Sequence, residues 1–120
     1  MHELSVTLNI LRIALEHAEQ AGASRVTDLH IVVGQLASIV DDSVQFYWDL
    51  ISHDTPAEGA QLHFRRIPTE LLCLNCEQRY LPAREDLACP HCGSIRVKVV
   101  AGEEFYLEAI DVEEERMSSM

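Results

Sequence analysis

At 120 residues the chain can build one modest core, or one small domain with a metal-stapled module beside it. Nine Lys and Arg against 20 Asp and Glu give a formal charge of -11, a poor match for phosphate backbones, which argues against nucleic acid and favours protein partners or cations. No apolar run approaches membrane-spanning length, and Glu3, Arg12 and Glu16 interrupt the N-terminal stretch, so neither a membrane span nor a secretion signal is expected and the protein is read as cytoplasmic.

The first expected element is a helix from Leu4 to Ala18, where Leu4, Leu8, Leu11, Leu15 and Ala18 form one stripe and Gly22 supplies the stop. A strand follows over Arg25 to Val33, with Leu29, Ile31 and Val33 alternating against Asp28, His30 and Val32. Asp41, Asp42 and Ser43 offer caps to a second helix whose apolar face is Val44, Tyr47, Trp48 and Ile51; His53-Asp54-Thr55-Pro56 ends it. A second strand spans Ala60 to Ile67. Beyond it lies a cysteine-bearing stretch, then a ribbon strand over Ile95 to Val100 and a closing strand around Phe105 to Val112. Residues 115–120 read as a frayed acidic tail.

All four cysteines fall in two knuckles, Cys73-Leu74-Asn75-Cys76 and Cys89-Pro90-His91-Cys92. Each knuckle presents two sulfurs, and two knuckles about a dozen residues apart match a structural zinc site of four thiolates. The same spacing also admits iron, as in a rubredoxin-like site, or two disulfides in an oxidising compartment. No large apolar run lies between the knuckles, so the module from about Leu71 to Val99 depends on metal for its fold.

Chemistry also concentrates at Met1-His2-Glu3. A bulky second residue protects the initiator Met, so the chain is expected to start with a free amine. That amine, the His2 backbone nitrogen and the His2 imidazole can close fused chelate rings, a nitrogen-rich near-planar set that suits nickel(II) or copper(II) better than zinc. An isolated His2 is otherwise a solvated terminal residue.

Met1-His2-Glu3-Leu4-Ser5 leading into an amphipathic helix, the Val33-Gly34 strand end, the later knuckles and the closing strand Phe105-Tyr106-Leu107-Glu108-Ala109-Ile110-Asp111-Val112 together resemble the HypA/HybF family of hydrogenase nickel-incorporation proteins. The resemblance implies an α+β fold: a two-helix, three-stranded-sheet nickel-binding domain over 1–70 plus 100–114, with an inserted zinc-ribbon-like domain over 71–99. It implies a metallochaperone that carries Ni(II) and delivers it to the precursor of a [NiFe]-hydrogenase large subunit, working with a nickel-insertion GTPase; some members also serve urease maturation. Carried over by position, His2 is the principal nickel ligand, with the Met1 amine and the backbone nitrogens of His2 and Glu3 as companions. An acidic side chain opening the second helix completes the set, and Asp41 or Asp42 matches. Helix capping accounts for the same two aspartates. Cys73, Cys76, Cys89 and Cys92 become the ligands of a structural Zn(II). No His follows the second cysteine of either pair, unlike some relatives; Glu77 and Gly93 stand there, which removes the basis for a borrowed pH-switch role.

Two other functions share the cysteines. A zinc-ribbon interaction module for transcription or RNA work leaves Met1-His2-Glu3 without purpose and conflicts with the acidic charge. A rubredoxin-like electron-transfer protein would declare itself by visible absorption. An enzyme is not expected, because no Ser-His-Asp order or phosphate-binding Gly-rich loop is present, and four thiolates leave zinc no open position for water. His91 is read as an exposed knuckle residue beside the sulfurs, and His17, His30, His53 and His63 as scattered structural or surface histidines.

Overall fold

A computed structural model describes residues 3–39, 41–83 and 86–114. Its elements are helix α1 (Glu3–Gln20), strand β1 (Ala23–Gly34), helix α2 (Asp41–Ile51) and strands β2 (Gln61–Ile67), β3 (Glu70–Cys73), β4 (Arg79–Tyr80), β5 (Val97–Ala101) and β6 (Phe105–Glu114). The fold is α+β, with two three-stranded sheets ordered β2-β1-β6 and β4-β3-β5. Among the described residues no helix is long and apolar enough to cross a membrane.

The chain separates into two compact units. One takes in the described parts of 1–31, 38–65 and 106–120, the other 32–37 and 66–105. In the first, α1 packs on α2. The face α1 buries is Thr7, Ile10, Leu11, Ala14 and Ala18; of the stripe expected from sequence Leu11 and Ala18 lie on it, whereas Leu4 and Leu8 are 44% and 47% exposed. A buried threonine at the N-terminal end of that face is tolerable because its hydroxyl donates to the Glu3 carbonyl one turn back, which satisfies it. From α2 come Val44 and Trp48, and from β1 Val26, Leu29 and Ile31. Gly22 caps α1 in the left-handed conformation at φ 67°, with its N–H on the Glu19 carbonyl.

β6 runs back along β1, since the Ser24 hydroxyl donates to the Glu113 carbonyl and the Thr27 hydroxyl to that of Asp111. Polar side chains tie the three strands together: Arg65 on β2 forks onto Glu108 on β6, His63 on β2 meets Asp28 on β1, and His30 on β1 meets Asp111 on β6. The His30 and His63 rings stack with centroids 5.0 Å apart.

In the second unit β3 pairs antiparallel with both β4 and β5, registering Leu71 with Tyr80 and with Val99. Neither β3 nor β4 was legible as a strand, because each is short and lies against a knuckle. The end of β1 is fixed here by backbone contact: Gly34 N–H donates to the Glu104 carbonyl, Leu36 N–H to that of Gly102 and Gln35 N–H to that of Ile67.

A four-cysteine candidate metal centre

Each knuckle is a tight turn whose local bonds repeat in the other. Glu77 N–H donates to the Cys73 carbonyl and Cys73 N–H to that of Gln78; Gly93 N–H donates to the Cys89 carbonyl and Cys89 N–H to that of Ser94. Closing the turn requires the residue after the second cysteine to be left-handed, and Glu77 (φ 62°) and Gly93 (φ 77°) both are. Only glycine takes that conformation without strain. The second knuckle therefore meets its backbone requirement with the right residue and the first does not.

The turns bring one sulfur from each of Cys73, Cys76, Cys89 and Cys92 within 4.8 Å of all the others. Across the knuckles, Cys73 Sγ lies 3.6 Å from Cys92 Sγ, and Cys76 Sγ 3.6 Å from Cys89 Sγ. A tetrahedron with zinc–sulfur bonds of about 2.3 Å has an edge of about 3.8 Å, so the cluster already has the dimensions of a zinc site. None of the four is in a disulfide. Beneath them Leu71, Cys73, Tyr80 and Cys89 form a small buried cluster with Val97 and Val99 against it, and the Tyr80 hydroxyl donates to the Leu87 carbonyl.

Electrostatics asks for a cation here. The Cys73 thiol is drawn down to about 6, chiefly by the Cys76 amide N–H, while Cys76 is pushed up to about 12, where burial and the neighbouring sulfurs of Cys89 and Cys73 outweigh the Gln78 amide that favours its thiolate. Once one sulfur is ionised, its neighbours resist ionising. A divalent ion at the centre removes that resistance, and the His91 amide on Cys89 Sγ adds an N–H···S bond to the set.

The other expected site residues are placed differently. Met1 and His2 lie outside the described residues; Glu3 opens α1 and Asp41 opens α2, ahead of the exposed Asp42. His91 is exposed. The structure joins His30 to His63 although 33 positions separate them, which no local spacing could reveal. His53 gathers with Asp54 and Glu58, all three exposed, its Nδ1 2.8 Å from Glu58 Oε2.

The fold and the cysteine cluster define a small α+β protein in which two Cys-x-x-Cys knuckles bring four sulfurs together into a candidate metal site. The chain belongs to the HypA family, described as hydrogenase/urease nickel incorporation, metallochaperone, whose profile matches residues 1–112. It is 40% identical over 119 residues to the hydrogenase maturation factor HypA of Dehalococcoides mccartyi, covering 99% of this chain and 100% of that one. With the hydrogenase maturation factor HybF of Klebsiella pneumoniae it shares 35% identity over 113 residues, 94% of this chain and all of the relative. In fold it matches a solution structure of a HypA protein with a TM-score of 0.75 at 22% identity, covering 96% of this chain and 98% of the other. The solution structure of the Ni metallochaperone HypA from Helicobacter pylori matches with a TM-score of 0.67 at 21% identity, over 96% and 100%.

Proposed function

We propose that the chain takes up nickel(II) at its N-terminus and passes it to the precursor of a [NiFe]-hydrogenase large subunit in the cytoplasm, as a carrier and not as a catalyst. The observation that carries this reading is the family match, which runs from residue 1 to residue 112 and so includes the Met1-His2-Glu3 start. The Met1 amine, the His2 imidazole and the backbone nitrogens of His2 and Glu3 form the nickel set. In sequence Met1 and His2 precede Glu3, the first residue of α1, and in this reading Asp41 on helix α2 supplies a carboxylate. A donor set of this kind holds nickel by displacing protons from nitrogen, so the ion can be handed on by ligand exchange. The nickel-insertion GTPase is the partner in that transfer, and urease maturation proteins are further recipients where a urease is made.

Zinc on Cys73, Cys76, Cys89 and Cys92 is structural in this reading. It supplies the folding free energy that the second unit's small apolar cluster lacks, and four thiolates leave the ion no position for chemistry.

The test is a strain lacking the chain. It should accumulate nickel-free hydrogenase precursor, and excess nickel in the medium should partly restore activity by mass action. Normal nickel loading of the precursor at low external nickel, in a strain with no second member of the family, contradicts the reading.

A further inference from the structure

We propose that Cys92 is an oxidation site at which a hydroperoxide opens the sulfur cluster, joining Cys92 to Cys73 across the two knuckles and releasing the zinc. The proposal rests on the zinc assignment above.

The four sulfurs are unequally placed. Cys73 and Cys89 are 0% and 2% exposed, Cys76 is half-buried, and Cys92 is exposed, with Pro90, His91 and Gly93 around it exposed as well. A small oxidant therefore meets Cys92 first. Zinc keeps that sulfur in the thiolate form, the nucleophilic one. In the first step the Cys92 thiolate attacks one oxygen of hydrogen peroxide; an S–O bond forms, the O–O bond breaks and hydroxide leaves, so sulfur becomes a sulfenic acid and peroxide gains two electrons.

A second thiolate then stands ready. Cys73 Sγ lies 3.6 Å from Cys92 Sγ, while the sulfur paired in the same way with Cys89 is Cys76. Attack by the Cys73 thiolate on the Cys92 sulfenic sulfur forms the S–S bond and expels a second hydroxide, and solvent protons convert both hydroxides to water. Two of the four zinc ligands are consumed. The remaining pair, Cys76 and Cys89, is half a site, and zinc departs as the hydrated ion.

The chain carries its own marker for which bond forms. Tryptic cleavage after Arg66, Arg79, Arg84 and Arg96 places Cys73 and Cys76 in peptide 67–79, and Cys89 and Cys92 in peptide 85–96. The zinc-loaded full chain is treated with one equivalent of hydrogen peroxide, quenched with N-ethylmaleimide and digested, and released zinc is read with a chromogenic chelator. One joined pair of peptides per zinc released, linked through Cys73 and Cys92, with maleimide on Cys76 and Cys89, is the expected result. Disulfides inside either peptide, first oxidation at Cys76, zinc release without a joined pair, or zinc retention through the treatment overturns it. Metal analysis before peroxide separates the two levels: less than one zinc per chain defeats the zinc assignment and the proposal together, whereas one zinc per chain followed by any overturning result defeats the proposal alone.

Discussion

Replacing Gly34 with Ala should damage the protein far more than the same change at Gly93, although Gly93 has the unusual backbone. Gly34 has no positive φ, but a Cβ on it would sit 2.1 Å from the Gly102 carbonyl oxygen and 2.7 Å from Glu103 N. Normal carbon–oxygen contact needs roughly 3.3 Å, so one strand must retreat by about 1 Å in a close-packed interior. That retreat breaks two short backbone bonds, Gly34 N–H to the Glu104 carbonyl at 2.6 Å and Leu36 N–H to the Gly102 carbonyl at 2.7 Å. Losing the bond at buried Gly34 with its partners unsatisfied costs about 1–3 kcal/mol and the steric clash about 1–3 kcal/mol more, giving about 2–6 kcal/mol. At Gly93, by contrast, nothing lies within 4 Å of the added carbon and only φ 77° is at issue. That strain is about 1–2 kcal/mol, partly offset by the lower entropy of the unfolded alanine chain. Urea denaturation of both zinc-loaded variants gives the comparison directly. If Gly34→Ala costs no more than Gly93→Ala, the close approach of these backbones is wrong.

The mirror experiment, Glu77→Gly, should stabilise the zinc-loaded protein by up to about 1 kcal/mol in the same assay, because it gives the first knuckle the residue its φ of 62° requires; a loss of stability would mean that the Glu77 side chain contributes more than the backbone strain removes. Cys89→Ser should abolish stoichiometric zinc and unfold the second unit, a loss on the order of 10 kcal/mol of metal-supplied folding energy, while Trp48 fluorescence in the first unit stays native; retained zinc by atomic absorption contradicts this. The His63 imidazole and then the Thr27 hydroxyl hold the Asp28 carboxyl below its ordinary 3.8. A folded value below the unfolded one gives stability that is complete above about pH 4 and is lost as pH falls through the folded value. The stability gap between wild type and Asp28→Asn should accordingly close in acid; a gap constant from pH 2.5 to 6 would show that the carboxylate's charge is not what matters.

Most of the fold was legible because it is written in local patterns. Both helices and strands β1, β2 and β6 stand within two residues of their expected places, since alternation and capping residues mark them. The spacing of the two knuckles pointed to four cysteines acting together, and their sulfurs do converge. What escaped is non-local. The buried face of α1 turned out to include Thr7 in place of Leu4 and Leu8, because the helix backbone satisfies a hydroxyl that sequence patterning counts as polar. β3 and β4 carry four and two residues and exist through pairing partners, one of them β5, more than twenty residues away from β3. Gly34 was legible as the end of a strand, but its need for a hydrogen in place of a side chain comes from Gly102, far along the chain.

Calorimetric titration of nickel into untagged, zinc-loaded protein, compared with His2→Ala, tests the central claim most directly, since an extension at Met1 would itself remove the amine donor. The wild type should bind one nickel per chain, with affinity falling as pH drops below the imidazole pKa of about 6.5, and His2→Ala should lose stoichiometric nickel while keeping its zinc and its fold. Unchanged nickel affinity in His2→Ala would place the nickel site elsewhere and contradict the account.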